Sequence, residues 1–350
     1  MTKENNLIDQ IKKNAALGYS LIRTLNFSLQ AKTLPLISKY VAQTDETENL
    51  KEHLKSARPK IEKLLNNDVE NMQLGFYPYS VLKPENILTH AARIPFVYID
   101  AVQSALRKKN KQSKVFGRDK SDLLLKLPEY YRRNFHFQTE GYLGETSAAL
   151  YEHQVEMLFS GSSNAMRRLI IPLFKKQFKS SNGEGLHFLE IGSGTGILTR
   201  FMSLAFPEAK ITCVDLSSAY LKQASQKLKN FDQINYIQGP GENLNFKNET
   251  FDGVYSCFLF HELPRKIRSE MITESKRVLK KSGLLGLVDS LQLNDDPEFN
   301  WALEKFPIDF HEPFFKDYVN NPLELEFKTQ GFKKIQTDIG FLSKAIIGVK

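Results

Sequence analysis

The sequence predicts an α/β fold: a doubly wound, seven-stranded sheet closed by an antiparallel hairpin and preceded by an all-helical region. Three observations predict it. Residues 186–196 read LHFLEIGSGTG, an apolar run suited to a strand buried on both faces, then glycines at alternate positions. Four further strand-length apolar segments follow, at 211–214, 235–238, 251–255 and 284–288, with helical patterns between them, as in parallel strands joined by crossovers. Two last strand patterns, 331–337 and 342–349, are close enough in sequence for an antiparallel pair.

Residues 1–125 read as a helical region. Ile8, Ile11, Ala15, Ile22, Leu25 and Leu29 recur three or four apart, or at multiples of that spacing, and predict an amphipathic helix over 7–29. A polar segment, 43–48, leads to a second helix over 50–65, and Phe76, Tyr77 and Tyr79 mark an aromatic loop. Pro84 and Pro95 bracket and start helices, Pro95 suiting a first helical turn ahead of Val97, Ala101 and Leu106. No chemistry is visible here. The region could cap an active site or form a homodimer.

Residues 126–182 link this region to the sheet. The stretch 129–142, EYYRRNFHFQTEGY, mixes aromatics with hydrogen-bonding side chains, as a substrate pocket or lid requires, or as a plain docking segment would. Helices are expected at 147–159, ended by Gly161, and at 164–178. Arg167 and Arg168 in the latter would bind an anion or face solvent.

Residues 183–350 carry the motifs. Glycines at 192, 194 and 196 let the chain turn sharply and let a ligand approach the backbone. The helix expected from 197 to 205 points its N-terminus into that turn. The spacing is G-x-G-x-G with Glu190 two residues ahead, not the G-x-G-x-x-G of dinucleotide sites. It resembles motif I of the class I S-adenosylmethionine-dependent methyltransferases, whose sheet is a Rossmann-like methyltransferase sheet. Asp215 ends the second strand 19 residues beyond Gly196, where the family's acidic residue accepts from the ribose hydroxyls. The resemblance also covers Phe251-Asp252-Gly253-Val254-Tyr255 and Arg277-Val278-Leu279-Lys280-Lys281-Ser282-Gly283, and spans roughly 147–350. It implies S-adenosyl-L-methionine as cofactor, held by Glu190, Gly192, Ser193, Gly194, Gly196, Asp215, Leu216, Gly241, Glu242, Ser256 and Phe258. Leu216 would pack on the adenine. Pro240 stands where the family often has an aspartate on the adenine amino group, so that contact would pass to Gly241 or Glu242.

Apolar residues at 41% and charged ones at 25% suit a soluble globular protein. Cys213 and Cys257 have neither disulfide nor metal spacing and suit a reducing compartment. The first residues lack a signal-peptide core and no stretch has the length of a membrane span, so the expectation is a cytoplasmic protein. The net charge of +8 lies within residues 1–140, with 23 Lys/Arg against 15 Asp/Glu, and is densest at 107–120. A solvated helical surface accounts for it, as would a face for nucleic acid or another anion.

The segment 256–264, SCFLFHELP, resembles the strand end that faces methionine and acceptor in the family. It lacks both the Asn/Asp-Pro-Pro-Tyr/Phe motif of base amino-methyltransferases and the Cys-plus-Pro motif of cytosine enzymes. Nucleic acid is therefore disfavoured as a partner. Asp ligands of the metal-dependent catechol type are missing too, so no metal is expected. A substrate-covering insertion is placed at 289–321, with Phe314 in it, and Tyr131 and Tyr142 join it as substrate-binding candidates.

Methyl transfer from a sulfonium is an in-line displacement in which proximity and alignment do most of the work. A hydroxyl or acidic-carbon acceptor also needs a base, and histidine suits neutral pH. The candidates are His261, His136 and His311. The leading expectation is O- or C-methylation of a small-molecule acceptor. A protein or RNA methyltransferase docking through its basic helices, and a non-catalytic cofactor-binding scaffold, are the alternatives.

Overall fold

The computed structural model describes residues 3–33, 50–83, 87–117, 121–178 and 182–350. The polar segment 43–48, Pro84, Arg118 and Lys120 lie outside them. In chain order the helices are α1 (Lys3–Ala31), α2 (Leu50–Gln73), α3 (Ile87–Lys109), α4 (Ser121–Lys126), α5 (Glu145–Leu158), α6 (Ser163–Arg168) and α7 (Ile170–Gln177). Strands and helices then alternate: β1 (His187–Ile191), α8 (Ile197–Ala205), β2 (Lys210–Asp215), α9 (Ser218–Lys227), β3 (Ile234–Gln238) and β4 (Phe251–Cys257). After α10 (Arg265–Val278) come β5 (Leu279–Ser290), α11 (Asn300–Asp309), α12 (Phe315–Asn320), α13 (Leu323–Thr329), β6 (Lys333–Gly340) and β7 (Ser343–Val349).

The sheet order is β3-β2-β1-β4-β5-β7-β6. β1 to β5 are parallel, β7 runs antiparallel to β5 and β6 antiparallel to β7. This is the predicted fold. The order reverses at β1, so the carboxyl ends of β1, β2 and β4 open on a common crevice, where ligands of such sheets bind. Phe188, Leu189, Val254, Tyr255, Leu285 and Leu287 are at most 1% exposed, and their near-continuous burial explains the apolar runs. A Cβ on Gly286 would come within 2.5 Å of the Phe174 ring, so glycine there lets α7 lie close against β5.

Ile61, Leu64, Leu65 and Met72 of α2 belong to the same apolar cluster as β1, β4 and β5. A buried ion pair fixes this docking: Arg168 donates to Asp68 from Nε at 2.8 Å and from Nη2 at 2.6 Å, while Tyr77 donates to Asp68 Oδ1 at 2.7 Å. Arg168 is thus committed to an internal carboxylate, not to a bound anion or to solvent.

Several sequence expectations change. Pro95 lies inside α3, not at its start. Val97 is buried against Phe27, Leu150 and Met157, and that packing carries the helix through the missing N–H. The helix predicted at 164–178 is two, α6 and α7, meeting at Leu169. The insertion at 289–321 holds α11 and α12, whose Leu303, Phe315 and Tyr318 are buried, as is Phe299 in the turn before α11. Among the described residues no helix is long and apolar enough to cross a membrane.

Candidate active site

The glycine loop leaves β1 with Gly192, Gly194 and Gly196 at φ of +67°, +53° and +79°. Three left-handed residues in five reverse the chain into α8, a path that side chains with a Cβ would strain. Asp215 holds the loop from the next strand. Its Oδ2 accepts from the Gly194 N–H and its Oδ1 from the Ser217 N–H, each at 2.8 Å. Burial moves this carboxyl up to about 6 against the pull of those two N–H groups. A carboxylate has about four lone-pair sites, so two remain for a pair of hydroxyls.

A narrow cavity runs past this carboxylate. Gly192, Gly194, Asp215, Leu216, Gly241, Glu242 and Phe258 line it on the sheet side. The aromatic segment covers the other side with Tyr130, Tyr131, Phe135 and Tyr142. Tyr130 donates to Glu242 Oε1 at 2.8 Å, while Glu242 Oε2 is buried without a hydrogen-bond partner. An acceptor is therefore left on the wall at the expected adenine end, although Pro240 supplies none.

Four expected cofactor residues stand behind the cavity lining. Glu190 accepts from Thr199 of α8, and burial raises its carboxyl to about 8. The Ser256 hydroxyl donates to the Ile191 carbonyl at 2.7 Å. Ser193 and Gly196 shape the loop from outside the lining. These four support the loop's form.

A second, mostly apolar cavity adjoins the first. Val155, Leu158, Phe159, Ala302, Leu303, Phe306 and Phe315 line it, and it shares Tyr151, Phe258 and Glu262 with its neighbour. His261 stands in its wall. His261 Nδ1 lies 2.5 Å from Asp289 Oδ1, at the end of β5. Asp289 Oδ2 also accepts from the Leu259 and Phe260 N–H groups, at 3.1 and 2.7 Å. Burial lowers the basicity of His261, but the Asp289 and Glu262 charges outweigh it and leave it raised. Phe258, at φ +51°, turns the chain from β4 toward this histidine.

His136 also lines the second cavity, on a turn where His136 and Phe137 have φ of +53° and +55°. Its Nε2 lies 3.4 Å from Glu262 Oε1 and 3.3 Å from Glu312 Oε1. Tyr142 donates to Glu262 Oε1. His311 lies apart, tilted against Phe137 with ring centroids 5.3 Å apart; burial, then Arg133 and His136, lower its basicity. Phe314 lies under the Arg133 guanidinium at 4.9 Å rather than in either cavity lining.

Sequence reasoning missed Asp289, Glu312 and Tyr151. Asp289 carried one signal, an acid at the carboxyl end of a core strand.

Residues 188–283 match the family model described as a methyltransferase domain. The chain is 28% identical over 146 residues to a fatty-acid O-methyltransferase of Mycolicibacterium smegmatis, covering 42% of this chain and 52% of that one. It is 28% identical over 134 residues to a malonyl-[acyl-carrier protein] O-methyltransferase of Halalkalibacterium halodurans, covering 37% and 49%. It is 32% identical over 106 residues to a demethylmenaquinone methyltransferase of Thermotoga maritima, covering 30% and 44%. The chain thus spans about half the length of these curated relatives. Strand order, glycine loop, acidic strand end and family match agree on a methyltransferase domain at residues 188–283.

Proposed function

We propose that the chain methylates a small-molecule acceptor at oxygen or carbon, with S-adenosyl-L-methionine as donor. The single observation behind this reading is the meeting of two cavities at Glu262 and Phe258, with the His261–Asp289 pair at the junction. Asp215 would take the ribose hydroxyls and Glu242 the adenine end, while Gly192 and Gly194 leave their backbone open to the cofactor. When bound, the cofactor supplies an electrophilic methyl group on sulfur.

The protein's own residues then do three things. The apolar walls at Phe159, Phe306 and Phe315 desolvate the acceptor and exclude water. Asp289 holds the imidazole through Nδ1, which leaves Nε2 to take a proton from the acceptor. Tyr131 and Tyr142 cover the first cavity from the aromatic segment.

The relatives' names cover a fatty acid, a malonyl-[acyl-carrier protein] and demethylmenaquinone. An apolar acceptor bearing one ionisable hydroxyl, carboxyl or activated carbon fits the second cavity. Two members of the basic cluster support this reading over macromolecular docking. Arg107 donates to the Phe137 carbonyl and to Thr139, and Lys108 pairs with Asp309 of α11, so both brace the cover of the site. The test is S-adenosylhomocysteine formation across panels of hydroxylated quinones, phenols and fatty acids. Turnover with one class that His261→Ala abolishes supports the reading; turnover only with RNA or protein overturns it.

A further inference from the structure

Among the described residues Glu156 and Glu312 each have both carboxylate oxygens buried without a hydrogen-bond partner, but Glu156 is ion-paired with Arg23 at 2.9 Å. The Glu312 side chain is 0% exposed. Its Oε1 faces His136 Nε2 at 3.3 Å, and the same nitrogen stands 3.4 Å from Glu262 Oε1. The three atoms lie within 4.8 Å of one another. They come from three separate segments: the turn Phe135–Phe137, the turn Phe260–Glu262 after β4, and the α11–α12 connection.

We propose that His136, Glu262 and Glu312 bind a divalent transition-metal ion of the zinc class, which ties the aromatic segment and the insertion to the end of β4. A divalent ion with neutral imidazole would balance the charge of two ionised carboxylates at this site. Ligand atoms around four-coordinate Zn²⁺ stand about 3.3–3.6 Å apart, given bonds of about 2.0–2.2 Å and tetrahedral angles. Both measured His136 distances meet that spacing. An N/O donor set with one imidazole favours zinc-like ions over Mg²⁺ or Ca²⁺. The Tyr142 hydroxyl on Glu262 supplies the outer hydrogen bond that orients a ligating carboxylate. His136 and Glu262 line the acceptor cavity, so an open fourth position would face it, and an acceptor oxygen could bind there.

The site stands on its own residues and does not depend on the methyl-transfer reading, although it would add an oxygen-binding point to that same cavity. Metal-free, tag-free full-length chain is titrated with Zn²⁺ and with Co²⁺, followed by calorimetry and visible absorption, beside Glu312→Gln and His136→Ala. The account expects one Co²⁺ per chain, with the ligand-field bands of a four-coordinate ion. It expects affinity to fall more than about tenfold in each variant, at least the loss that removing an outer partner alone produces. Zn²⁺ should raise the melting temperature of wild type and not that of Glu312→Gln, which itself should fold at least as well as metal-free wild type. Absence of saturable one-to-one binding by the folded wild type would overturn the proposal. So would affinities unchanged in both variants. Neither result depends on turnover, so failure here is distinguishable from failure of the proposed activity.

Discussion

His261 and Asp289 are 28 positions apart in sequence, yet Nδ1 and Oδ1 stand 2.5 Å apart because β4 and β5 pair in parallel and end together. The pairing Cys257↔Val288 sets this: the chain after β4 turns back over the last residues of β5. Asp289 also accepts from the N–H groups of Leu259 and Phe260, so it fixes both the turn and the ring it presents.

A first prediction follows from that pair. His261→Ala should lower kcat by about 10²–10⁴-fold, the range for loss of a general base. Asp289→Asn keeps the shape but loses the charge, and should lower kcat by a smaller factor. Neither should change S-adenosylhomocysteine affinity more than about twofold, within roughly 0.4 kcal/mol. Steady-state kinetics beside calorimetry checks this, and a parallel loss of cofactor binding would assign both residues to the fold instead.

Glu242 tests the adenine end. Glu242→Ala should weaken cofactor binding about tenfold, roughly 1.4 kcal/mol, because its buried Oε2 is the spare acceptor on that wall. Unchanged affinity would move the adenine contact to the Gly241 backbone.

Asp68→Ala leaves Arg168 buried without its carboxylate and should destabilise the chain by about 3–5 kcal/mol in urea unfolding. The loss should include the α2 packing, because Ile61, Leu64 and Leu65 share the sheet's core. A change under about 0.5 kcal/mol would mean the helical region docks without this pair.

Glu190 makes stability depend on pH. Burial raises its carboxyl from 4.5 to about 8, so the folded chain holds a proton that the unfolded chain releases. That stabilisation is complete below about 4.5 and is lost as pH rises through about 8, at up to about 1.4 kcal/mol per pH unit. Glu190→Gln cannot ionise and should flatten the dependence between those limits. Unfolding free energies of both proteins at several pH values decide it, and identical slopes would contradict the assignment.

The candidate cofactor half of the site carries signals that are local. The glycine spacing, Asp215 at a strand end and the apolar runs each lie within a few residues, where backbone geometry dictates residue type. Glu190 also makes a contact that motif spacing does not foretell: it accepts from Thr199 of α8. Pro95 misled for a related reason, since local propensity cannot see the packing of Val97 that carries α3 through it. The acceptor half depends on contacts between distant segments. Asp289 meets His261 through strand pairing, and Glu312 meets His136 through an insertion whose helices pack over the sheet's end. The expectation of no metal rested on the segment after β4 alone, where Glu262 is one of three converging groups.

The most direct test of the central claim is calorimetric binding of S-adenosylhomocysteine to wild type and to Asp215→Asn. Asparagine keeps the side chain's shape and removes the charge proposed to accept the ribose hydroxyls. The account predicts saturable one-to-one binding by wild type. It predicts a loss of about 1.5–3 kcal/mol in the variant, the worth of a hydrogen bond to a charged group. Absence of binding by the folded wild type, or equal affinity in the two proteins, would contradict it.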